Sequence, residues 1–490
     1  MNAPSPTPPT GQPPSGGGQP PPPPGSNPVP TPAPAPTPAT GNTAGITAVN
    51  HIIFLAEENR GFLHYFGKLN DYRRAQGLNA DVVYGIPDDC MSSNSDWTVP
   101  CSLMNKSPDA NGVPTTPIYS FHLKTQCIDD LSPDWIVSHW DFNAEDPSSN
   151  TPMMDGFVIS AASAALADNK PDTAGIRAMG FYTADDLEYH YWLATQFATS
   201  DTWFSPVPSR TPPNRYYMYA ATSGGYAYPV GATEPSIKSK TIFDSLTAAG
   251  ISWKIYTESG FTYGSFFSNF SSRYKNTGNI VIDPNFAQFI SDAKNGNLPQ
   301  VVYIEKPDDD EKPISLTSIQ IGVAESQKLI NAVMYGASWK DSVMIITFDE
   351  DGGTFDYLSP PTNVPSPDGI QPVDICTNAS DTRCAFAALS HPAPPYDATG
   401  DFTRYGFRVP LMVVSPFTKP HYVSHLTTDY TAWIKFVETR FNLAPLNNRD
   451  GWADTSDMTD FFDFQNPALM TPPQNPPAVK TGGPCTESLP

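Results

Sequence analysis

Residues 51–56 read HIIFLA, a nearly continuous apolar run that leads directly into the polar sequence EENR at 57–60. A run of this length and β-branched content is typical of a strand that is buried on both faces of a sheet. Four more short runs have the same nearly continuous apolar composition: ISWKIY at 251–256, QVVYI at 300–304, VMIITF at 343–348 and LMVVS at 411–415. The five runs are therefore predicted to form the interior strands of one sheet.

Amphipathic helical patterns lie between the predicted strands, at residues 241–249, 319–335 and 431–441. Strands that alternate with helices indicate an α/β fold, here a doubly wound and mostly parallel sheet with helices on both faces. The turn-rich stretches 75–128 and 354–404 are predicted to be long insertions over one face of that sheet.

The charge of the chain excludes one broad class of function. Its 490 residues include 28 Lys and Arg against 50 Asp and Glu, which gives a net charge of −22. Nucleic-acid binding is not expected, because it needs a basic surface that replaces phosphate counterions. No run of 18 or more apolar residues occurs, so the sequence contains no candidate transmembrane helix.

The first part of the chain differs in composition from the rest. Residues 1–43 are mostly Pro, Gly, Ser, Thr, Ala, Asn and Gln, and the first charged residue is Glu57. Such a segment cannot bury enough apolar area to offset the entropy of ordering, so it is predicted to be a disordered, extended tether. Residues 44–490 are predicted to form one folded domain.

The six cysteines lack the C-x-x-C spacing of zinc sites. Disulfides in an oxidising compartment are favoured over free thiols, because the closely spaced cysteines lie in loop-like sequence. The predicted pairs are Cys90 with Cys101 and Cys376 with Cys384, which leaves Cys127 with Cys485. A secreted or periplasmic protein is expected, although no signal peptide is visible in the sequence shown.

Acidic residues follow two of the predicted strands. EENR at 57–60 follows the first strand, and DEDGG at 349–353 follows the strand that ends at Phe348. In open α/β sheets, ligands bind outside the carboxyl ends of the strands. Converging oxygen ligands are what a hard divalent cation needs, and this is one interpretation of the two clusters. Two solvated acidic turns that cap helices are the alternative.

A third segment, DTWFSPVPSRTPPNR at 201–215, is stiffened by proline around Thr211. A stiff loop can hold a hydroxyl in a fixed position, and a hydroxyl needs a metal or a base to act as a nucleophile at neutral pH. Thr211 is therefore a candidate nucleophile. Arg215 either neutralises a bound phosphate or has a structural role.

The sequence ENRGFLHYFG at 58–67 resembles the ENRSFDHYFG signature of a bacterial phosphoesterase family, which includes phosphatidylcholine-hydrolysing phospholipases C and related acid phosphatases. The similarity continues in the same order as far as residue 438. Further matching blocks are MDGF at 154–157, MGFYT at 179–183, TPPNR at 211–215, WKIY at 253–256, TFDEDGG at 347–353, RVP at 408–410, VSH at 423–425 and FVE at 436–438.

The resemblance implies an alkaline-phosphatase-like fold in residues 44–490, with one catalytic divalent metal ion whose identity the sequence does not give. Thr211 is then the nucleophile that forms a phosphothreonine intermediate. The implied metal ligands are Glu58, Asn59, Asp349 and Glu350. The implied substrate-binding residues are Asn214, Arg215 and Lys312.

The chain also departs from the family pattern. Family members usually carry histidines at four positions that are occupied here by Pro133, Lys312, Asp351 and Tyr357. Those histidines would bind phosphoryl oxygens or protonate the leaving group. Two histidines of this chain, His139 and His425, match family positions and are candidates for phosphate binding or acid catalysis. His64 lies in an aromatic patch and is interpreted as a core residue.

The predicted function is that of a metal-dependent phosphoesterase, which hydrolyses a phosphomonoester or a phospholipid phosphodiester. Its expected partner is a phosphoester small molecule or a phospholipid headgroup. The alternative is a non-catalytic family member that binds a phosphorylated ligand or a surface partner. The enzyme is favoured because a protein without turnover has no chemical reason to keep the whole set of Glu58, Asn59, Thr211, Asp349 and Glu350.

Overall fold

The computed structural model describes residues 43–79, 82–109, 112–128, 131–167, 169–230, 236–306, 318–376, 398 and 400–485. The predicted tether at residues 1–43 lies almost entirely outside these ranges, so it stays a prediction. The same holds for the domain boundary at residue 44.

The strands are β1 (His51–Glu57), β2 (Met104–Pro108), β3 (Pro114–Tyr119), β4 (Phe121–His122), β5 (Gly180–Phe181), β6 (Ala198–Ser200), β7 (Trp203–Phe204), β8 (Trp253–Thr257), β9 (Ile280–Ile282), β10 (Val301–Glu305), β11 (Ser342–Phe348), β12 (Leu411–Val414), β13 (Tyr422–Ser424) and β14 (Thr428–Asp429). The α-helices are α1 (Phe62–Phe66), α2 (Leu69–Ala75), α3 (Trp135–Phe142), α4 (Phe157–Ala167), α5 (Ala184–Gln196), α6 (Thr211–Ala220), α7 (Ile242–Ala248), α8 (Phe270–Tyr274), α9 (Ala287–Asn295), α10 (Ile319–Met334) and α11 (Ala432–Phe441).

An eight-stranded sheet with the order β13-β6-β12-β11-β1-β10-β8-β9 organises the described residues. β1 lies at its centre and pairs in parallel with both β10 and β11. β12 runs antiparallel to its two neighbours, β11 and β6. The prediction of an α/β fold around a mostly parallel sheet is therefore confirmed.

The five predicted strands correspond to β1, β8, β10, β11 and β12, and the three predicted helices correspond to α7, α10 and α11. Among the strands of this sheet, the sequence analysis missed β6, β9 and β13. Each of these strands has only three residues, which is too short for a recognisable pattern.

The interior strands carry apolar residues in succession because both faces of the sheet are covered. Residues 52–56 of β1 have no exposed surface. Phe54 stacks on Tyr303 of β10 and on Trp433 of α11, with ring centroids 5.6 and 4.7 Å apart. Helix α11 therefore packs directly against the centre of the sheet, as the apolar pattern at 431–441 requires.

Disulfides join the loop regions, as predicted for two of the three pairs. Cys90 is bonded to Cys101, and Cys127 is bonded to Cys485 across 358 residues of sequence. Cys376 is also disulfide-bonded, whereas Cys384, its predicted partner, lies outside the described residues. In the described ranges, no helix is long and apolar enough to cross a membrane.

Glu438 on α11 provides a test of the packing around this helix. Burial, together with the neighbouring Asp450, raises the pKa of Glu438 from its ordinary value of 4.5 to about 10. The folded protein therefore binds a proton that the unfolded chain releases. The contribution of this bound proton to the free energy of unfolding is complete below pH 4.5 and is lost progressively as the pH rises towards 10.

We expect Glu438→Gln to raise the melting temperature at pH 8 and to leave it nearly unchanged at pH 4. The amide keeps the size of the side chain and can donate to Asp450, but it has no proton to lose. An increase in the free energy of unfolding of about 1 kcal/mol or more is expected at pH 8. Thermal melts across this pH range, with Glu188→Gln as the control, test the expectation. If the melting temperatures of Glu438→Gln and the wild type changed with pH in parallel, the expectation would be contradicted.

Candidate active site

Parallel pairing of β1 with β11 brings two acidic turns together. In the register of the two strands, Glu57 lies beside Phe348. Glu58 and Asn59 therefore leave the sheet at the same edge as Asp349 and Glu350. All of these strand-end residues lie at the carboxyl ends of parallel strands, where α/β proteins place their ligands.

Hydrogen bonds at Asp349 fix the geometry of both turns. Its Oδ1 accepts the backbone N–H of Asn59 at 3.0 Å and the backbone N–H of Glu350 at 2.9 Å. Asn59 has a positive φ of 56°, and Gly352 follows in the opposite turn with a φ of 65°. A Cβ at Gly352 would approach the carbonyl oxygen of Asn59 to 2.3 Å, so glycine is required at this position.

Thr211 is the first residue of α6, and two prolines follow it. Proline is tolerated there because the first N–H groups of a helix have no intrahelical partner. The Oγ1 of Thr211 lies 3.1 Å from Oε2 of Glu58 and 3.3 Å from Oδ1 of Asn59. The predicted nucleophile therefore contacts two of the four predicted metal ligands.

Arg215 lies one helical turn after Thr211, and its side chain has no exposed surface. Its Nη2 donates to Oε1 of Glu58 at 2.6 Å, and its Nε donates to Oδ2 of Asp349 at 3.2 Å. It also donates to the carbonyl oxygens of Ala56 and Glu57 at 3.2 and 3.1 Å. Arg215 thus joins the two acidic turns to α6, and its predicted contact with substrate stays a prediction.

The site contains more negative charge than its buried arginine balances. Burial, followed by the charge of Asp349, raises the pKa of Glu58 and that of Glu350 well above their ordinary values. Glu350 accepts the N–H of Gly352 at 2.6 Å through Oε2, whereas its buried Oε1 has no hydrogen-bond partner. An unpaired carboxylate oxygen beside two other carboxylates fits a bound cation.

The donor set is suited to a hard divalent ion, since it consists of carboxylate, amide and hydroxyl oxygens. In the described part of the chain, no three His, Cys, Asp or Glu side chains are arranged so that they could hold a metal ion. A metal at this position would therefore need the Asn59 and Thr211 oxygens in addition to the carboxylates.

Of the remaining predicted substrate-binding residues, the structure describes Asn214. Asn214 is buried, and its Nδ2 donates to the carbonyl oxygens of Ser209 at 2.5 Å and Arg210 at 3.4 Å. It therefore fixes the loop that leads into α6. Lys312 lies outside the described residues.

His139 on α3 is buried. Its Nδ1 lies 2.6 Å from the carbonyl oxygen of Trp135, and its ring packs on that indole with a centroid distance of 4.3 Å. Burial, followed by the nearby Arg404, lowers the pKa of His139 to about 3. A ring that stays neutral at pH 7 is a poor proton donor.

His425 has a different environment. Its Nδ1 lies 2.8 Å from Oδ1 of Asp201, and its side chain is 35% exposed. The other oxygen of Asp201 accepts the N–H of Tyr84 at 2.7 Å. A partly exposed histidine beside a buried carboxylate has the arrangement of an acid–base catalyst.

The structure describes three of the four positions that lack a family histidine. Asp351 is buried, and burial raises its pKa to about 8. Tyr357 donates from its hydroxyl to the carbonyl oxygen of Gly85 at 3.1 Å. Pro133 offers only its carbonyl oxygen, which accepts from Ser138 at 3.0 Å. The fourth position is Lys312.

Sequence reasoning missed Glu305 and Asp201. Glu305 ends β10, and its Oε1 lies 3.9 Å from Nη1 of Arg215. Burial raises the pKa of Glu305 to about 6, although Arg215 opposes the shift. A polar residue directly after a buried run was the signal that identified Glu58 and Asp349, and it applies equally to Glu305. Asp201 has no such signal, because its role depends on contact with a distant histidine.

Comparisons with known proteins show which proteins this chain is similar to. A model of the phosphoesterase family matches residues 49–444. Phospholipase C B of Mycobacterium tuberculosis is 28% identical over 471 residues, which cover 87% of this chain and 80% of that protein. Non-hemolytic phospholipase C of Burkholderia pseudomallei is 28% identical over 479 residues, which cover 88% of this chain and 61% of that protein. Non-specific phospholipase C4 of Arabidopsis thaliana is 29% identical over 445 residues, with coverages of 84% and 72%.

Among solved structures, murine ectonucleotide pyrophosphatase/phosphodiesterase 5 is similar to 56% of this chain and to 94% of its own chain. The sequence identity is 13% and the TM-score is 0.33. A protein of the alkaline phosphatase superfamily from Vibrio parahaemolyticus covers 80% of this chain, with 12% identity and a TM-score of 0.29.

Proposed function

This chain belongs to the phosphoesterase family and is a hydrolase of phosphoric esters, and we propose that it cleaves a phosphomonoester or a phospholipid phosphodiester through a phosphothreonine intermediate at Thr211. The observation that carries the proposal is the position of the Thr211 hydroxyl, 3.1 Å from Glu58 at the edge of the sheet where both acidic turns meet. Thr211 is the first residue of a helix, and its Oγ1 is oriented by contacts with Glu58 and Asn59.

We further propose that one divalent metal ion is held by oxygens of Thr211 and of the four predicted ligands, Glu58, Asn59, Asp349 and Glu350. The unpaired Oε1 of Glu350 and the raised pKa values of Glu58 and Glu350 support the presence of a cation. A bound divalent ion lowers the pKa of a coordinated hydroxyl and offsets charge on phosphoryl oxygens. Arg215 holds Glu58 and Asp349 in position for this role.

In the proposed reaction, Oγ1 of Thr211 attacks phosphorus and the bond to the ester oxygen breaks. Glu58 accepts the hydroxyl proton, because its Oε2 already receives the hydrogen bond from Oγ1 of Thr211. The departing alkoxide takes a proton and leaves as the alcohol. Water then cleaves the bond between phosphorus and Thr211, which restores the hydroxyl and releases the phosphate product.

His425 is the better candidate for the proton donor to the leaving group. It is partly exposed and pairs with Asp201, whereas His139 is buried with a pKa of about 3. Asn214, Arg215 and Lys312 remain proposed contacts of the phosphoryl group. A secreted or periplasmic location is proposed as well, because the disulfides Cys90–Cys101 and Cys127–Cys485 need an oxidising compartment.

Hydrolysis of p-nitrophenyl phosphate and p-nitrophenyl phosphorylcholine tests the proposal. We expect turnover of at least one substrate by metal-loaded protein, a loss of at least about 100-fold after chelation, and recovery when one divalent metal is restored. The metal that restores activity identifies the ion. Chelator-resistant hydrolysis would contradict the metal site. Failure of metal-loaded protein to hydrolyse any phosphoester would favour a family member that only binds its ligand.

A further inference from the structure

A cavity of about 270 Å³ opens beside the loop that leads into Thr211. Its lining includes Trp135, His139, Asn150, Asp401, Phe402 and Arg404. The proposed chemistry at Thr211 does not use this cavity, and the resemblance to the family assigned a role only to His139.

The cavity lies close to the proposed nucleophile. Pro208 contributes to its wall, and Thr211 follows three residues later. Three residues of chain span at most about 11 Å. Arg210 lies between them, and its Nε is 3.5 Å from Oδ1 of Asp134, the residue that precedes α3. A group that is esterified to a phosphate at Thr211 can therefore reach the cavity.

Two aromatic side chains form a fixed part of the wall. The rings of Trp135 and Phe402 have centroids 5.5 Å apart at an interplanar angle of 60°. The indole Nε1 donates to the carbonyl oxygen of Ala398 at 3.0 Å. A Cβ at Gly400 would lie 2.5 Å from the indole ring, so the backbone packs closely on Trp135. Phe402 itself has a φ of 59°, an unfavourable conformation that the surrounding packing maintains.

The polar groups of the wall offer both hydrogen-bond acceptors and donors. The carbonyl oxygen of Trp135 can only accept, so Nδ1 of His139 carries the proton and Nε2 carries a lone pair. The low pKa of His139 keeps this acceptor neutral at pH 7. Asp401 accepts the N–H of Thr403 at 3.1 Å through Oδ1, which leaves Oδ2 for a ligand. Asn150 accepts from Arg404 at 2.9 Å, which leaves its amide N–H groups as donors.

The charges of the wall favour a neutral ligand. Arg404 is stacked 4.0 Å from the ring of Phe142, and its pKa of about 10, lowered by burial, leaves it protonated at pH 7. Asp401 provides the opposite charge. A quaternary ammonium group would be attracted by the aromatic rings and by Asp401 but repelled by Arg404. An anionic group would be attracted by Arg404 but repelled by Asp401.

We propose that this cavity binds a neutral, polyhydroxylated alcohol that is esterified to the phosphate reacting at Thr211. The aromatic rings of Trp135 and Phe402 contact its C–H groups, and the acceptors on His139 and Asp401 bind its hydroxyls. This inference rests on the proposed function, since the phosphate is placed by Thr211. Inositol and glycerol esters belong to this class of substrate, whereas choline esters do not.

Competition by free alcohols tests the inference. We expect myo-inositol to inhibit hydrolysis of p-nitrophenyl phosphate competitively, and choline to inhibit it more weakly. Trp135→Phe and Asp401→Asn should each raise the inhibition constant of myo-inositol by about tenfold or more, because each removes one contact of the alcohol. Asp401 is exposed, so its replacement does not disturb the core around Trp135. Asp185→Asn, an exposed carboxylate on α5, is the matched control and should leave the inhibition constant unchanged.

Binding of myo-inositol measured by calorimetry separates this inference from the proposed function. Calorimetric binding that is weakened in both cavity variants supports the cavity assignment even if the wild-type protein hydrolyses no phosphoester. Stronger inhibition by choline, or no competition by myo-inositol while hydrolysis proceeds, would overturn the cavity assignment and leave the proposed function intact. An inhibition constant that is unchanged in both variants would also overturn it.

Discussion

Thr211→Val is expected to abolish hydrolysis, with a fall in kcat of at least about 1,000-fold. Valine keeps the shape and β-branching of threonine but lacks the oxygen that attacks phosphorus. The fold should be retained, because the hydrogen bonds found for Oγ1 lead only to the side chains of Glu58 and Asn59 in the described structure. Steady-state hydrolysis of p-nitrophenyl phosphate measures the loss. Mass spectrometry of acid-quenched wild-type enzyme should detect phosphate on Thr211 and none on the variant.

Two further variants test whether the missing oxygen causes the loss of hydrolysis in Thr211→Val. Thr211→Ser restores a hydroxyl at the same position and should retain activity. Thr439→Val removes a hydroxyl from α11, where Oγ1 donates to the carbonyl oxygen of Lys435 at 2.7 Å, and it should have no effect on turnover. Full activity in Thr211→Val, or a phosphorylated residue elsewhere in the wild-type enzyme, would remove Thr211 from the mechanism.

The convergence of Glu58 with Asp349 could be predicted from sequence because of a simple property of parallel sheets. Two buried runs that end in acidic residues place those residues at one edge, provided that the strands are neighbours in similar register. β1 and β11 fulfil both conditions. The same property would have identified Glu305, since β10 flanks β1 on the other side.

The role of Arg215 could not be settled in this way. Its sequence environment is compatible with a phosphate contact or with a structural contact, and the choice depends on which way α6 is rotated against the sheet. In the structure, this rotation directs the guanidinium to Glu58 and Asp349. The cavity beside the loop that leads into Thr211 could not be predicted from sequence, because residues of α3 and of the distant loop at 400–404 form it together.

Glu350→Ala is expected to remove both the bound metal and the activity. Its Oε1 is the buried carboxylate oxygen without a partner, and its Oε2 has one hydrogen bond, to Gly352. Asp349→Ala should have the same functional effect, but it also removes the acceptor for Asn59 and Arg215, so the Glu350 variant is the cleaner test. Metal content per protein by elemental analysis and turnover of p-nitrophenyl phosphate measure the two losses.

Thermal stability distinguishes loss of a ligand from loss of the fold. Added metal should raise the melting temperature of the wild type, because a ligand that binds only the folded state stabilises it, and this increase should disappear in Glu350→Ala. Without metal, the variant should melt at or above the wild-type temperature, since alanine removes a buried carboxylate that is repelled by Asp349. The control Glu188→Ala removes a carboxylate from α5 and should retain metal, activity and the metal-dependent increase. A Glu350→Ala protein that binds metal as the wild type does would exclude Glu350 from the site.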